Sequence, residues 1–273
     1  MTTNCQATPV FSPRMISLVH SWSWVRSDFA EEFRQISDAG AFRPGGTSMT
    51  IWNTRTKFVL RVPSARGFDV AYKSFFRIKN PCRYFCRPSP CAAEAANYVL
   101  LTEFGLPLSD LLAVGEIRRG LLPKNAFMVS RFIEGYRNGL DFFQEGIHTG
   151  NEAMLKEFCR GQLALLAKLH DRGYVHGGFT PANLLYRQEP GSGMKFCWVD
   201  VAECRRSPLT PEIIADDMIR LFRYLTISAK VRRELETAYF EAANVPRTTA
   251  EELNDVLERR IVKRLKPWAV VAE

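Results

Sequence analysis

Short runs of apolar residues, separated by polar or turn-rich segments, fill the first half of the chain and predict β-strands. Three of these runs cover Ser48–Trp52, Lys57–Val62 and Asp69–Phe75. A fourth run, Phe127–Gly135, predicts a strand that leads into a turn. Together these runs predict a small β-sheet in the N-terminal half.

Helical patterns lie before, within and after this strand-rich part. Ser27–Gly40 has a Ser cap, an early acidic pair and a closing Gly, which is typical of a helix. A second helix is predicted after Ser89, with Pro90 in its first turn and Gly105 at its end. Beyond Asn151 the apolar pattern has helical spacing. One face of this third helix carries Leu155, Phe158, Cys159, Gln162, Leu163, Leu166 and His170.

The change from a mostly β first half to a mostly helical second half predicts an α+β protein with two lobes. The boundary is expected near Gly135–Asp141. We therefore expect an N-terminal extension with a helix at residues 1–47, a strand-rich lobe at 48–135 and a helical lobe at 136–273.

The C-terminal segment predicts a basic surface helix. Thr249 and Glu252 have the spacing of a capping box. An apolar stripe runs through Leu253, Leu257, Ile261 and Leu265. Off that stripe lie Arg259, Arg260, Lys263, Arg264 and Lys266. Two interpretations stay open, a solvated charged face and a face that docks on anionic lipid.

Charge narrows the class of partner. The 273 residues carry a formal net charge of +8, which favours anionic partners such as a nucleotide or a phospholipid. No nucleic-acid-binding motif accompanies this charge, so no nucleic-acid partner is expected. The first thirty residues lack a secretion signal, and no apolar run approaches the roughly 18 residues of a spanning helix. We expect a cytoplasmic protein, and contact with a membrane surface stays open.

Lys73 lies at the centre of an apolar strand, where an ammonium group needs a partner. Glu94 is a candidate, because it shares a helix face with Tyr98 and Leu101 and so points partly inward. A Lys–Glu pair of this kind can hold the ammonium against nucleotide phosphates. The alternatives are a lysine that extends to solvent and a surface glutamate.

A predicted hairpin brings Asn183 and Asp200 together. Asn183 directly precedes the first strand, and Asp200 directly follows the second. In an antiparallel hairpin these two positions lie at the same end. One amide oxygen and one carboxylate are suitable ligands for Mg²⁺, with phosphates and water completing the shell. The alternative is a polar hairpin end in solvent.

The stretch YVHGGFTPANLLY, Tyr174–Tyr186, contains the spacing His-x-Gly-x-x-x-x-Asn. Protein kinases have H-R-D-x-x-x-x-N in their catalytic loop, where the Asp is the base and the Asn binds magnesium. Gly178 therefore occupies the place of the catalytic Asp.

From about Thr56 to Leu225 the chain resembles the lipopolysaccharide kinase family, the bacterial Kdo and heptose kinases. The matching stretches are VAYKSFF, EAANYVLLTEFGLPLSDLLAVGEIRRGLLPKNAFMVSRFIEG, LALLAKLHDRGYVHGGFTPANLLY, WVDVAECR and DDMIRLFRYL. The resemblance implies a bilobal protein-kinase-like fold, with a mostly β N-lobe and a mostly helical C-lobe. It also implies ATP and Mg²⁺ as cofactors. The implied substrate is an anionic glycolipid, a Kdo or heptose of the lipopolysaccharide inner core, at the cytoplasmic face of the inner membrane.

The resemblance also assigns roles to individual residues. Lys73 would bind phosphates, and Glu94 would position Lys73. In the second lobe His176 would buttress the catalytic loop, and Asp217 would brace it. The implied magnesium ligands are Asn183 and Asp200.

Three departures from the family pattern bear on activity. Gly178 replaces the catalytic Asp, the turn Asn53–Thr56 has no glycine for a phosphate lid, and Val201–Ala202 follow Asp200 in place of Phe-Gly. Loss of a general base costs about 10²–10⁴-fold in rate. Two hypotheses remain, an ATP-dependent sugar kinase and a pseudokinase that binds nucleotide or acts as a scaffold.

Overall fold

The computed structural model describes residues 21–29, 49–64, 67–144, 151–224, 228–243 and 247–264. The chain forms two compact units. The first unit comprises Met1–Leu100 and Ser109–Glu134. The second comprises Leu101–Leu108 and Gly135–Glu273.

The first unit is built on a six-stranded antiparallel sheet with the order β1-β5-β6-β4-β3-β2. Its strands are β1 Ser21–Val25, β2 Met49–Asn53, β3 Phe58–Pro63, β4 Asp69–Phe75, β5 Leu111–Arg119 and β6 Leu122–Arg131. The helix α1, Pro90–Glu103, follows β4 in the chain and begins in this unit. The core of the sheet contains the buried residues Leu60, Val70, Tyr72, Leu112, Ala113, Phe127 and Val129.

The four predicted strands are present in this sheet, with bounds that shift by a few residues. The strand predicted from Phe127 begins earlier, at Leu122, and ends at Arg131. The sequence pattern assigned no strand to Ser21–Val25 or Leu111–Arg119, and both are strands of this sheet. Of the helix predicted at Ser27–Gly40, the structure describes a short 3-10 turn at Ser27–Phe29, and the rest lies outside the described residues.

The predicted helix after Ser89 is present as α1. Ser89 caps it through its Oγ, which accepts a hydrogen bond from the Ala92 amide at 3.3 Å. Pro90 is its first residue, and Gly105 adopts a left-handed conformation just beyond its end. Tyr98 and Leu101 are buried, as the inward face predicted.

The second unit contains five helices among its described residues, besides the end of α1. They are α2 Gly139–Gln144, α3 Glu152–His170, α4 Pro211–Phe222, α5 Ala229–Ala242 and α6 Arg247–Arg264. The strands β9, Leu184–Glu189, and β10, Gly193–Trp198, form the predicted hairpin, and β7, Arg137–Asn138, pairs with β9. Two short strands, β8 Tyr174–Val175 and β11 Arg205–Arg206, pair with each other.

The predicted apolar stripe of α3 forms the core of the second unit, and all seven of its residues are buried. Phe158 stacks on Phe142, with ring centroids 4.9 Å apart. Gln162 is the polar member of the stripe, and its Oε1 accepts a hydrogen bond from the indole of Trp198 at 2.8 Å. That bond satisfies two buried polar atoms and fixes the end of β10 against α3.

The C-terminal helix α6 differs from its prediction at its start. The capping-box interpretation is wrong, because the helix begins at Arg247 and already contains Thr249. Leu253 and Leu257 are fully buried, as predicted, whereas the side chains of Ile261 and Leu265 lie outside the described residues. Arg260 is bound in an ion pair with Asp216 of α4. Within the described residues no helix has the length and apolarity that crossing a membrane would need.

Glu236, buried in α5, gives the stability of the fold a pH dependence. Burial raises the pKa of its carboxyl to about 7, although the guanidinium of Arg232 lies 3.3 Å away. Glu236 Oε1 accepts no hydrogen bond, so the attraction of Arg232 is too weak to offset the cost of burying a charged carboxylate. The folded state therefore binds the proton of Glu236 more tightly than the unfolded state does. The resulting stabilisation is fully present below about pH 4.5 and is lost as the pH rises through about 7.

Replacing Glu236 with glutamine should therefore raise stability at pH 8 and leave it nearly unchanged at pH 4.5. The expected gain at pH 8 is about 2–3 kcal/mol, from the size of the pKa change. Urea unfolding at the two pH values measures it. Glu241→Gln is the matched control, because Glu241 is an exposed carboxylate on the same helix. Equal gains in both variants, or no pH dependence for Glu236→Gln, would contradict this assignment.

Candidate functional site

Lys73 and Glu94 form a buried ion pair in the first unit. The Lys73 Nζ lies 2.6 Å from Glu94 Oε2, and both side chains are nearly removed from solvent. Lys73 is held on β4 between β3 and β6, opposite Val59 and Met128. Glu94 projects from the first turns of α1. The pair places a fixed cation on the sheet, since removing either partner would leave an uncompensated buried charge.

The turn between β2 and β3 offers few backbone donors to a phosphate. The Thr54 hydroxyl oxygen accepts from the amides of Thr56, at 3.3 Å, and Lys57, at 3.0 Å. The Thr54 amide donates to the Lys57 carbonyl at 2.8 Å. Anion-binding loops leave such amides pointing at the ligand. Three amides at this glycine-free turn, those of Thr54, Thr56 and Lys57, are therefore bonded within the turn and are not free to bind a phosphate.

In the second unit a buried carboxylate braces the loop that contains His176. Asp217 of α4 accepts hydrogen bonds from the backbone amides of His176, at 2.7 Å, and Gly177, at 2.8 Å. It also lies 3.3 Å from His170 Nε2, whose ring Nδ1 contacts the Tyr239 hydroxyl at 2.6 Å. Burial opposes ionisation of Asp217, but the hydrogen bond from His170 and the nearby histidines hold its pKa below the usual range.

His176 is fully buried in the same loop, and burial lowers its pKa, so it is neutral at pH 7. Its Nδ1 accepts from the Gly178 amide at 3.2 Å, which places the ring proton on Nε2. The ring makes edge contacts with Phe179 and Trp198, at centroid distances of 5.5 and 4.9 Å. A neutral, packed imidazole of this kind supports the loop and is not placed to act as a general base.

The two glycines of the loop, Gly177 and Gly178, differ in whether the structure could accommodate a side chain. Gly177 has a φ of +71°, and a Cβ there would lie 2.8 Å from the Glu203 carbonyl oxygen, so a side chain is strongly disfavoured. Gly178 is not among the residues with positive φ. A Cβ at Gly178 would meet Asn183 Nδ2 at 3.3 Å and His176 Nδ1 at 3.7 Å. The backbone therefore admits a side chain at Gly178 after a small shift of Asn183.

Asn183 and Asp200 lie at the same end of the β9–β10 hairpin, as predicted. The Val199 amide donates to the Asn183 carbonyl at 3.0 Å, which brings the two chain segments together. The Asn183 side chain donates from Nδ2 to the Gly178 carbonyl at 2.8 Å and so uses its nitrogen, not its amide oxygen. Asp200 has a φ of +54°. That conformation is rare for a residue other than glycine and is concentrated at functional sites.

The family resemblance implied that Asp217 braces the loop, but the two residues behind Asp217 were not predicted. His170 was assigned only to the apolar stripe of α3, and Tyr239 was not singled out. A histidine on an apolar helix face needs a buried hydrogen-bond partner. The position of His170 on the apolar stripe therefore indicated that it has such a partner. Its partner, Tyr239, lies 69 positions away in sequence, so the pairing could not be derived from local spacing.

Comparisons with known proteins give a family and a fold. The model of the lipopolysaccharide kinase (Kdo/WaaP) family matches residues 78–247, more than half of the chain. The chain is also similar to the solved structure of WaaP in complex with acyl carrier protein, with a TM-score of 0.65 and 15% identity. That match covers 89% of this chain and 99% of the WaaP chain. No curated protein sequence gives a significant match.

At 15% identity the likeness to WaaP shows the fold and not the substrate. It confirms the α+β, protein-kinase-like fold class that the sequence predicts. The family match includes α1 with Glu94, the loop from His176 to Asn183, Asp200 and Asp217. The chain belongs to the lipopolysaccharide kinase (Kdo/WaaP) family.

Proposed function

We propose that this protein uses ATP to phosphorylate a Kdo or heptose of the lipopolysaccharide inner core at the cytoplasmic face of the inner membrane. The family supports a kinase activity toward lipopolysaccharide. The observation that carries the proposal is the buried Lys73–Glu94 pair, because two buried charges are costly to desolvate and their pairing adds little stability by itself. In the proposed role Glu94 positions Lys73, and Lys73 binds the nucleotide phosphates.

The residues of the second unit fit a magnesium nucleotide. Asn183 and Asp200 offer an amide oxygen and a carboxylate, and Mg²⁺ prefers such hard oxygen ligands. When bound, ATP supplies the transferred phosphoryl group and the metal neutralises its charge. The chain's own contribution is positioning: Asp217 fixes the loop, His176 supports it, and Asn183 and Asp200 would hold the metal.

Lys73→Met should weaken ATP binding about tenfold or more, because the variant lacks the cation proposed to face the phosphates. Isothermal titration measures the dissociation constant. Lys124→Met is the control, since Lys124 is an exposed lysine on β6 of the same sheet. Circular dichroism must show that Lys73→Met is folded, because it leaves Glu94 without its partner. An unchanged dissociation constant in the folded variant would remove Lys73 from the site.

Asp200→Asn should abolish the gain in nucleotide affinity that magnesium provides. The substitution keeps the size of the side chain and removes the charge that attracts the metal. Titrations with and without Mg²⁺ give the gain for each protein. Glu203→Gln is the matched control, because Glu203 is an exposed carboxylate beside Gly177. If magnesium helps Asp200→Asn as much as the wild type, the metal is bound elsewhere.

A second candidate function is a pseudokinase that binds nucleotide or acts as a scaffold and transfers little or no phosphate. Two observations favour it. Gly178 provides no carboxylate where the catalytic Asp would be, and the amides of the turn at Thr54 are satisfied internally. Kinase catalysis rests largely on positioning and charge neutralisation, so the first loss alone does not eliminate transfer.

A panel of acceptors separates the two functions. The protein would be incubated with ATP, Mg²⁺ and purified glycolipids ending in Kdo or in heptose, and phosphate on the sugar would be measured by mass spectrometry. The sugar-kinase proposal expects phosphate on one of these acceptors at a rate above that of a Lys73→Met variant. No phosphate on any acceptor, from a protein that binds Mg·ATP, would favour the pseudokinase.

A further inference from the structure

Three chain segments meet at one end of the six-stranded sheet. β2 and β5 end there and β3 and β6 begin there, because Phe58 pairs with Ser74 and Phe75 pairs with Ala126. The segment that leaves β4 starts at the same end, where the Arg77 amide donates to the Thr56 carbonyl at 3.4 Å. Residues 53–58, 74–89 and 116–126 therefore form this sheet end.

Basic residues dominate this sheet end. Besides the buried Arg118, its cations are Arg55, Lys57, Arg77, Lys79, Arg83, Arg87, Arg119 and Lys124. All but the half-buried Lys57 are exposed, and these seven have no ion-pair partner among the described residues. The only acidic residue in the three segments is Glu116, which is buried and paired with Arg118. Like charges held together without counterions favour binding to an anionic surface.

Large apolar side chains are exposed among these cations. They are Phe76 and Phe85 of the segment after β4 and Trp52, which directly precedes Asn53 on β2. Phe85 is 54% exposed and lies between Arg83 and Arg87. Trp52 lies under the Lys57 ammonium, 4.5 Å from it, and Phe76 stacks on Phe58. Aromatic side chains interleaved with lysine and arginine are typical of surfaces that insert into a membrane interface.

We propose that this sheet end, which we call the basic aromatic edge, docks on an anionic phospholipid bilayer. The cations would contact lipid phosphates, and Phe76, Phe85 and Trp52 would enter the headgroup region. A soluble polyanion would satisfy the charges but would give no reason for the exposed aromatic residues. The inference rests on the proposed function only for the expectation that the substrate is lipid-borne.

The test is co-sedimentation with vesicles of phosphatidylcholine, with and without phosphatidylglycerol. Wild type should bind the anionic vesicles and not the neutral ones. Arg77→Gln/Lys79→Gln/Arg83→Gln should bind them about tenfold more weakly or worse. The matched control is Arg160→Gln/Lys230→Gln/Arg233→Gln, which removes three cations that line one groove of the second unit. The control should retain wild-type binding.

A second pair of variants tests the aromatic contribution. Phe85→Ser should weaken vesicle binding and leave binding to soluble heparin unchanged, whereas Phe85→Trp should retain both. No binding of wild type to anionic vesicles overturns the proposal, as does an equal loss in the two triple variants. Full vesicle binding by Phe85→Ser also overturns it, because binding would then rest on charge alone and the surface would suit an acidic protein equally well. Mg·ATP titration of the same variants should match wild type, so a failure of the nucleotide site would be seen separately.

Discussion

Gly178→Asp should raise the rate of phosphate transfer to a sugar acceptor by about 100-fold. The loop already has its other parts, since Asp217 holds the amides of His176 and Gly177, and Asn183 closes the loop on the Gly178 carbonyl. The conformation of Gly178 permits a side chain, and the nearest obstacle is Asn183 Nδ2 at 3.3 Å from the added Cβ. A carboxylate at this position could accept the proton of the acceptor hydroxyl, as the catalytic-loop Asp of kinases does.

The neighbouring glycine supplies the matched control. Gly177→Asp adds the same carboxylate one residue earlier, where φ is +71° and the Glu203 carbonyl blocks the Cβ. It should lower stability and add no activity. Initial rates with a fixed glycolipid acceptor compare the two variants with wild type. A wild-type rate of about 1–100 s⁻¹, typical of kinases, would refute the pseudokinase alternative and require another base. Loss of that rate in Glu203→Gln would identify Glu203 as that base.

Asp217→Ala should destabilise the second unit by about 3–5 kcal/mol. The substitution leaves the amides of His176 and Gly177 buried without acceptors, and each unsatisfied amide costs about 1–3 kcal/mol. It also removes the carboxylate beside His170. Urea unfolding at pH 7 measures the loss. Because the pKa of Asp217 is lowered, its contribution should be present at neutral pH and disappear as the pH falls through that pKa.

Asp216→Ala is the control for this prediction. Asp216 is adjacent in sequence and forms its ion pair with Arg260 at a partly exposed position. Its loss should cost under about 1 kcal/mol. Similar losses of stability in the two variants would show that Asp217 is not the brace of the loop.

The sequence predicts those parts of the site that rest on local periodicity. Lys73 can be identified because it is a charged residue within an apolar strand. Glu94 can be identified because it shares a helix face with Tyr98 and Leu101. Asn183 and Asp200 converge because a hairpin has a fixed geometry. These placements need only the chain between neighbouring elements, and the structure gives each of them.

The parts that were missed depend on distant contacts or on ambiguous patterns. The strand Leu111–Arg119 is a nearly continuous buried run without alternation, so its period did not identify it. The role of His170 depends on its contacts with Tyr239 and Asp217, and both of these residues lie on later helices. The predicted capping box at Thr249 is wrong because the helix begins two residues earlier, at Arg247. Short motifs at helix ends are easily displaced by packing of the helix as a whole.

The most direct test of the proposed function is a titration of Mg·ATP into the wild-type protein, followed by the heat of binding. We predict saturable binding that is weakened when Mg²⁺ is removed and weakened at least about tenfold in Lys73→Met. We expect a moderate affinity for ATP, because three amides at the turn after β2 already donate to the Thr54 hydroxyl oxygen and the Lys57 carbonyl. The absence of any saturable binding by the folded wild-type protein, with or without Mg²⁺, would contradict the proposal that this protein uses ATP.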